Sequence, residues 1–249
     1  MDRSAFYAHL RRRDVPIFGT SLSQRQVEGI EALLDAGGRL HLDHMAHVLA
    51  EVYHETGGGM YPVKETVYRH SKNQNPSDAT VIARLDAAWR KGQLPWVTQP
   101  YWRDGWFGRG GIQLTHKYNY QKGSAVTGKN LVKHPELALS VPISAQIAVE
   151  GCKAGIFTGK KLADFDLQTG FDHYGARAIV NGDKKVNGPK VAGYAEIFEA
   201  ALSRAGWGQS LDVPAVTKPA TQPDPAEQPQ GILAALVAAI LSIFGKGKA

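Results

Sequence analysis

Twenty-seven glycines, many of them clustered at 37–38, 57–59 and at Gly108, Gly110 and Gly111, constrain this 249-residue chain more than any other feature. They break the backbone before any regular segment grows long, so short elements alternate with long shaped loops. Between the breaks the apolar residues recur at helical spacing. Ser23 followed by Val27, Ile30, Leu33 and Leu34 reads as a capped helix that stops at Gly37 and Gly38. Met45, Val48, Leu49 and Val52 form the stripe of a second helix from about Asp43 to His54, ended by Gly57 to Gly59. Further helices are expected over ATVIARLDAAWR, from Pro142 to about Gly151, and from Pro189 to Ala205. Convincing alternating strands are few, so the fold class is mainly α with long loops.

The expected division is a catalytic domain over 1–208, a linker over 209–230 and an apolar segment over 231–249. Five prolines in SLDVPAVTKPATQPDPAEQPQ mark the linker. The uncharged run from Gly231 to Gly245 is 15 residues long. As a helix it would reach ~22 Å, short of a bilayer core of roughly 30 Å, though Lys246 and Lys248 suit a headgroup layer. Membrane association, docking on protein and disorder all remain open readings for it. Residues 1–208 carry 26 Lys and Arg against 20 Asp and Glu, which places the net charge of +6 on the main domain and favours an anionic partner. These cations are dispersed and form no helical stripe, so no nucleic-acid partner is expected. The single cysteine, Cys152, reads as a small buried hydrophobe. The opening MDRSAFYAHLRRRD has no apolar run after its charges and so lacks a conventional secretory signal.

Chemistry concentrates in HETGGGMYPVKE, residues 54–65. Glu55 closes a helix, where the dipole favours cations and a carboxylate gains nothing. Apolar neighbours would let it hold a proton near neutrality, as a general acid must; a solvated last-turn glutamate is the plainer alternative. Glu51, one turn earlier, is either solvated or paired. A glycine-proline loop could carry Glu65 across from Glu55 with room for a water, the arrangement of an inverting glycosidase. Asp172 is the next acid to test should Glu65 not serve.

The stretch WFGRGGIQLTHKYNY supplies a second wall. Gln113, Thr115, Asn119 and the tyrosines, Tyr118 among them, offer neutral hydrogen bonds and flat apolar faces suited to sugars. The five aromatics between Trp96 and Phe107 read equally well as groove or as core. A metal is not expected: HExxH would need histidine where Gly58 stands, and His41, His44, His47 and His54 drift around their helix. No cofactor is implied.

HETGG, FGRGGIQLTHKYNY, HPELALSVPISAQIAVEG and ARAIVNGDKKVNG together, in this order, resemble the pattern of glycoside hydrolase family 19 over nearly all of residues 15–205. That family comprises chitinases and phage endolysins with a lysozyme-like, two-lobed helical fold, acting by inversion. The resemblance implies Glu55 as general acid and Glu65 as the carboxylate that assists water. It implies Gln113, Thr115, Tyr118, Asn119 and Asn181 as substrate-binding residues. Arg177 and Lys185 could bind substrate or pair with an acid, and pairing is the favoured reading. Gly111 takes the family's common proline position, which should loosen the loop. The chain also lacks the disulfide cysteines of plant chitinases.

LSQRQVEGIEALLDA resembles the opening of the phage lysin branch. With the basic main domain and the apolar tail, it leads to an expected endolysin cleaving peptidoglycan between N-acetylmuramic acid and N-acetylglucosamine. Such a protein would be monomeric, made in the bacterial cytoplasm and active at the cell wall, with possible attachment at the inner membrane. A chitinase and a non-catalytic wall-binding module are the alternatives.

Overall fold

The structure, a computed structural model, describes residues 1–67 and 69–208; the linker and apolar segment expected over 209–249 lie outside them. Among the described residues, eight helices and one two-stranded sheet follow in order: α1 (Arg3–Leu10), α2 (Gln24–Ala36), α3 (Leu42–Glu55), β1 (Val63–Lys64), α4 (Asp78–Arg90), β2 (Arg109–Gly110), α5 (Lys117–Thr127), α6 (Val141–Ala154), α7 (His173–Ala176) and α8 (Lys184–Arg204). Short 3-10 turns cover Tyr101–Asp104, Pro135–Leu139, Leu162–Phe165 and Arg177–Ile179. This is a mainly helical architecture with minimal β content.

Local chemistry explains the boundaries. Ser23 and Gln26 form a reciprocal capping box at the start of α2, and the Ser77 hydroxyl accepts from the Thr80 N–H at the start of α4. At the end of α3, the Thr56 hydroxyl donates to the Val52 carbonyl (2.6 Å) and accepts from the Met60 N–H (2.8 Å). Gly58, at φ +79°, lets its N–H return to the Tyr53 carbonyl at 2.7 Å.

Helix α8 begins at Lys184, five residues before the expected start, and holds Pro189 in its second turn. Helices α1 and α5 were not expected at all. GRGG includes a strand: Val63 pairs with Gly110 and Lys64 with Arg109, antiparallel.

Apolar burial divides into two clusters. The larger joins α1, α2, α3, α5, α6 and α8, with Phe6, Ile30, Leu49, Ile147 and Phe198 at or below 1% exposure. The smaller gathers Val81 and Leu85 of α4 with Trp102 and Phe107. Part of the aromatic run is thus core, while other members open on a groove. The loop that follows Glu55 joins the larger cluster through Met60.

Helix α2 holds that loop closely. The Gln26 amide donates to the Gly58 carbonyl at 2.7 Å. A Cβ on Gly29 would stand 1.7 Å from the Met60 carbonyl oxygen, which is backbone and cannot swing aside. Gly29→Ala should therefore destabilise the protein by about 1–3 kcal/mol, as overpacking does. A urea unfolding midpoint equal to that of the parent chain would show that the loop yields instead.

Candidate active site

Glu55 lies on the last turn of α3, 4% exposed, and faces charge where apolar neighbours were expected. Its Oε1 is 2.8 Å from Nη1 of Arg177, which arrives on the turn Arg177–Ile179. The same nitrogen contacts Oε2 of Glu51, a fully buried side chain. On its other edge, Arg177 donates from Nε to Asp183 at 2.8 Å. Arg177 thus pairs with acids, as favoured, while Lys185 is exposed on α8.

Three carboxylates therefore share one guanidinium. Burial is the largest influence on Glu51 and pushes its carboxyl up, yet Arg177 and His47 together hold it below the usual range. Asp183 is also held low: burial opposes ionisation, but the Arg177 hydrogen bond and charge outweigh it. Burial works against the Arg177 charge, and the carboxylates raise its proton affinity regardless. Glu51 and Asp183 can keep the guanidinium paired by themselves. Arg177 would therefore stay paired even if Glu55 carried no charge.

Glu65 follows β1 and is 5% exposed. Its Oε1 accepts from the Tyr101 hydroxyl at 2.7 Å and its Oε2 from the Gly108 N–H at 2.7 Å. Its own N–H returns to the Gly108 carbonyl at 2.7 Å, so the β1–β2 pairing sets its position. Burial, the dominant influence, pushes the Glu65 carboxyl up to about 7 against the pull of Gly108, Tyr101 and Arg109. Thr66, next in the chain, has φ +70°, a strained value for a β-branched residue.

The neutral side chains divide between structural and unused capacity. Gln113 donates to the carbonyls of Val63 (3.0 Å) and Gly110 (2.8 Å), bracing the two strands. Its Oε1 is buried with no protein partner, and the same holds for Thr115 Oγ1, Asn119 Oδ1 and Asn181 Oδ1. A buried polar atom left unpaired costs about 1–3 kcal/mol, so four at once are costly unless something else pairs them. Tyr118 is 52% exposed, and its ring stacks on His116 at 5.6 Å. It borders a groove of 810 Å³ shared with Trp96, Tyr101, Trp106, His116 and Lys117.

Neither Glu55 nor Glu65 lines that groove; Tyr101 is the link to Glu65. Asn181 stands one turn beyond Arg177, its N–H on the Arg177 carbonyl at 3.0 Å. The candidate residues thus form two networks, Glu55 with Arg177 and Asn181, and Glu65 with Tyr101 and the 108–119 segment. Among the described residues no hydrogen bond or ion pair joins the two carboxylates.

One local finding departs from expectation, and a second adds to the scaffold. Gly111 does not loosen its loop, because its N–H donates to Ser144 Oγ of α6 at 2.8 Å, a bond that proline could not make. Arg109, the arginine of GRGG, is 2% exposed and serves the scaffold. It bonds Asp78 at 2.9 Å and the Tyr120 hydroxyl at 2.8 Å. Sequence reading missed Tyr101, and no local pattern marks it. Asp172 is occupied as the cap of α7, accepting from the Gly175 N–H at 2.8 Å.

Known proteins share similarity with parts of this chain. The family model of glycoside hydrolase family 19, described as chitinase class I, matches residues 31–150. A 40-residue segment is 52% identical to chitinase 11 of Oryza sativa subsp. japonica, and the match spans 16% of each protein. Among solved structures, a chitinase C mutant is 19% identical at TM-score 0.43, covering 83% of this chain and 92% of that one. A bacterial family 19 chitinase is 19% identical at TM-score 0.36, covering 81% of this chain and 94% of that one. Both overlaps are loose, and the family match and the rice segment carry the assignment. Residues 31–150, a little under half of the chain, thus carry the similarity to glycoside hydrolase family 19.

These matches correct the expected substrate. Peptidoglycan rested on charge, the opening segment and the tail, whereas the matching family is described as chitinase and the rice relative is a chitinase. The expected peptidoglycan partner falls with it. No described helix is long and apolar enough to cross a membrane, so the described residues give the expected membrane association no support, and its segment, 231–249, lies outside them.

Proposed function

We propose that the chain is a chitinase that hydrolyses β-1,4-linked N-acetylglucosamine polymers with inversion. The observation that carries this reading is the set of buried, unpartnered oxygens on Gln113, Thr115, Asn119 and Asn181 around two buried glutamates. Acceptors and a hydroxyl of this kind suit sugar hydroxyl and acetamide N–H groups, and exposed Tyr118 suits a pyranose face.

In this reading Glu55 protonates the glycosidic oxygen as the bond to the sugar carbon breaks. Glu65 accepts a proton from the water whose oxygen bonds to that carbon from the opposite face. Solvent then returns the proton to Glu55 and removes the one on Glu65. The oxocarbenium-like charge between them is offset by the carboxylates around Arg177.

Activity should depend on pH through Glu65, whose carboxyl is pushed up to about 7. A base must be ionised, so kcat/KM falls as pH drops through about 7. A second reading exchanges the two roles, favoured by the ion pair on Glu55 and the high proton affinity of Glu65. Activity would then fall as pH rises through about 7. Rates on an N-acetylglucosamine hexamer from pH 4 to 10 decide between them. Binding of the hexamer without shortening it at any pH would leave only the non-catalytic module.

A further inference from the structure

We propose that Tyr101 is a positioning residue that ties the aromatic groove to Glu65; this rests on the catalytic reading of Glu65 above. Tyr101 is the groove residue whose hydroxyl reaches a candidate catalytic group, at 2.7 Å from Glu65 Oε1. Its ring is held on both sides, by Trp102 at 5.0 Å and by His116 at 4.3 Å. His116 in turn stacks on the exposed ring of Tyr118 at 5.6 Å and 19°. The stack thus runs from solvent to the buried carboxylate: Tyr118, His116, Tyr101, Glu65.

Two further features mark the stack as built. His116 has φ +61° and ψ +144°, a conformation costly for any side chain and kept only where surrounding contacts impose it. Trp96, in the same groove, buries an indole N–H with no protein partner, a donor available to a sugar hydroxyl or acetamide oxygen. A pyranose ring laid against Tyr118 and Trp96 would press on the stack that orients Glu65.

The charged and polar groups around Glu65 define what Tyr101 contributes. From β2 comes Arg109 and from the residue before it the Gly108 N–H, from α5 Tyr120 bonded to Arg109, and from α4 Asp78 paired with Arg109. Burial and the neighbouring Glu65 raise the Tyr101 phenol well above its ordinary value, so it remains a donor across the working range. A donor to a buried carboxylate favours the ionised form. Its loss makes ionisation harder and moves it to higher pH.

Tyr101→Phe removes the hydroxyl and keeps the ring against Trp102 and His116. On the N-acetylglucosamine hexamer, the limb near pH 7 should move up by about one pH unit, the size of one hydrogen bond to a charged group. If Glu65 is the base, the rate at pH 6 should fall about 10-fold and return to within about 2-fold of the parent at pH 9. If Glu65 is the acid, the alkaline limb moves up by the same amount. An unmoved limb, or equal loss at every pH, overturns the inference while an inactive Glu65→Gln upholds the reading beneath it. A fully active Glu65→Gln sinks that reading. The parent chain gives a second test by carbon-13 NMR: the Tyr101 Cζ resonance should titrate with the Glu65 carboxyl, and a Tyr101 signal that ignores it overturns the coupling.

Discussion

Glu55→Gln should lower kcat on the N-acetylglucosamine hexamer by about 10²–10⁴-fold, the range for loss of a general acid, with KM changed less than about 3-fold. The amide fills the same volume but cannot give a proton to the leaving oxygen. The fold should persist, because Arg177 keeps Glu51 and Asp183 when Glu55 loses its charge. An unchanged melting curve together with lost turnover is the expected pair of results. Wild-type turnover would remove Glu55 from the chemistry; lost turnover with a lowered melting temperature would make the residue structural.

Arg177→Leu should have the largest effect on stability. It leaves Glu51 at 0% exposure with His47 as its remaining contact, and strips Glu55 and Asp183 of their shared cation. Removing one partner of a buried ion pair costs about 3–5 kcal/mol, because the remaining charge is stranded. Adding Glu51→Gln to Arg177→Leu should recover part of that loss, since the stranded charge then disappears. Urea unfolding of the three proteins measures both quantities. Equal stability of Arg177→Leu and the parent would show that water reaches Glu51 freely.

The recovery in the double variant also bears on function. Glu51 and Glu55 sit one turn apart on α3 and contact the same guanidinium nitrogen, so their charges are coupled through it. Restored stability without restored turnover would separate the two tasks of this cluster, holding α3 against the 177–183 segment and presenting Glu55.

The sequence disclosed those helices whose caps and apolar spacing are local. Helix α2 carries its own capping box, and α3 its own buried stripe, so both were readable within a few residues. Helix α5 was not, because KYNYQKGSAVT is polar and interrupted by a glycine. Tertiary contact overrides that weak propensity: a Cβ on Gly123 would come within 3.0 Å of both Leu114 and Leu131. Helix α8 runs through Pro189, which local rules place at a helix start.

The candidate site divides along the same line. Glu55 and Glu65 stand out by their place around a glycine-rich break, and the 113–119 segment by its polar-aromatic composition. Their environments could not be read, since Arg177 pairs with Glu51 from 126 residues away and Tyr101 reaches Glu65 across 36. Apolar neighbours seemed natural for Glu55 at the end of an apolar stripe, yet a distant arginine supplies charge instead. Burial raises the proton affinity of Glu65, where strand pairing places a carboxylate behind an aromatic wall.

Proton NMR of the first products released from the N-acetylglucosamine hexamer reads the central claim most directly. The proposed inverting mechanism predicts that the α-anomer appears first and mutarotates toward the equilibrium mixture. A β-anomer appearing first, or a hexamer that stays whole, would contradict the account.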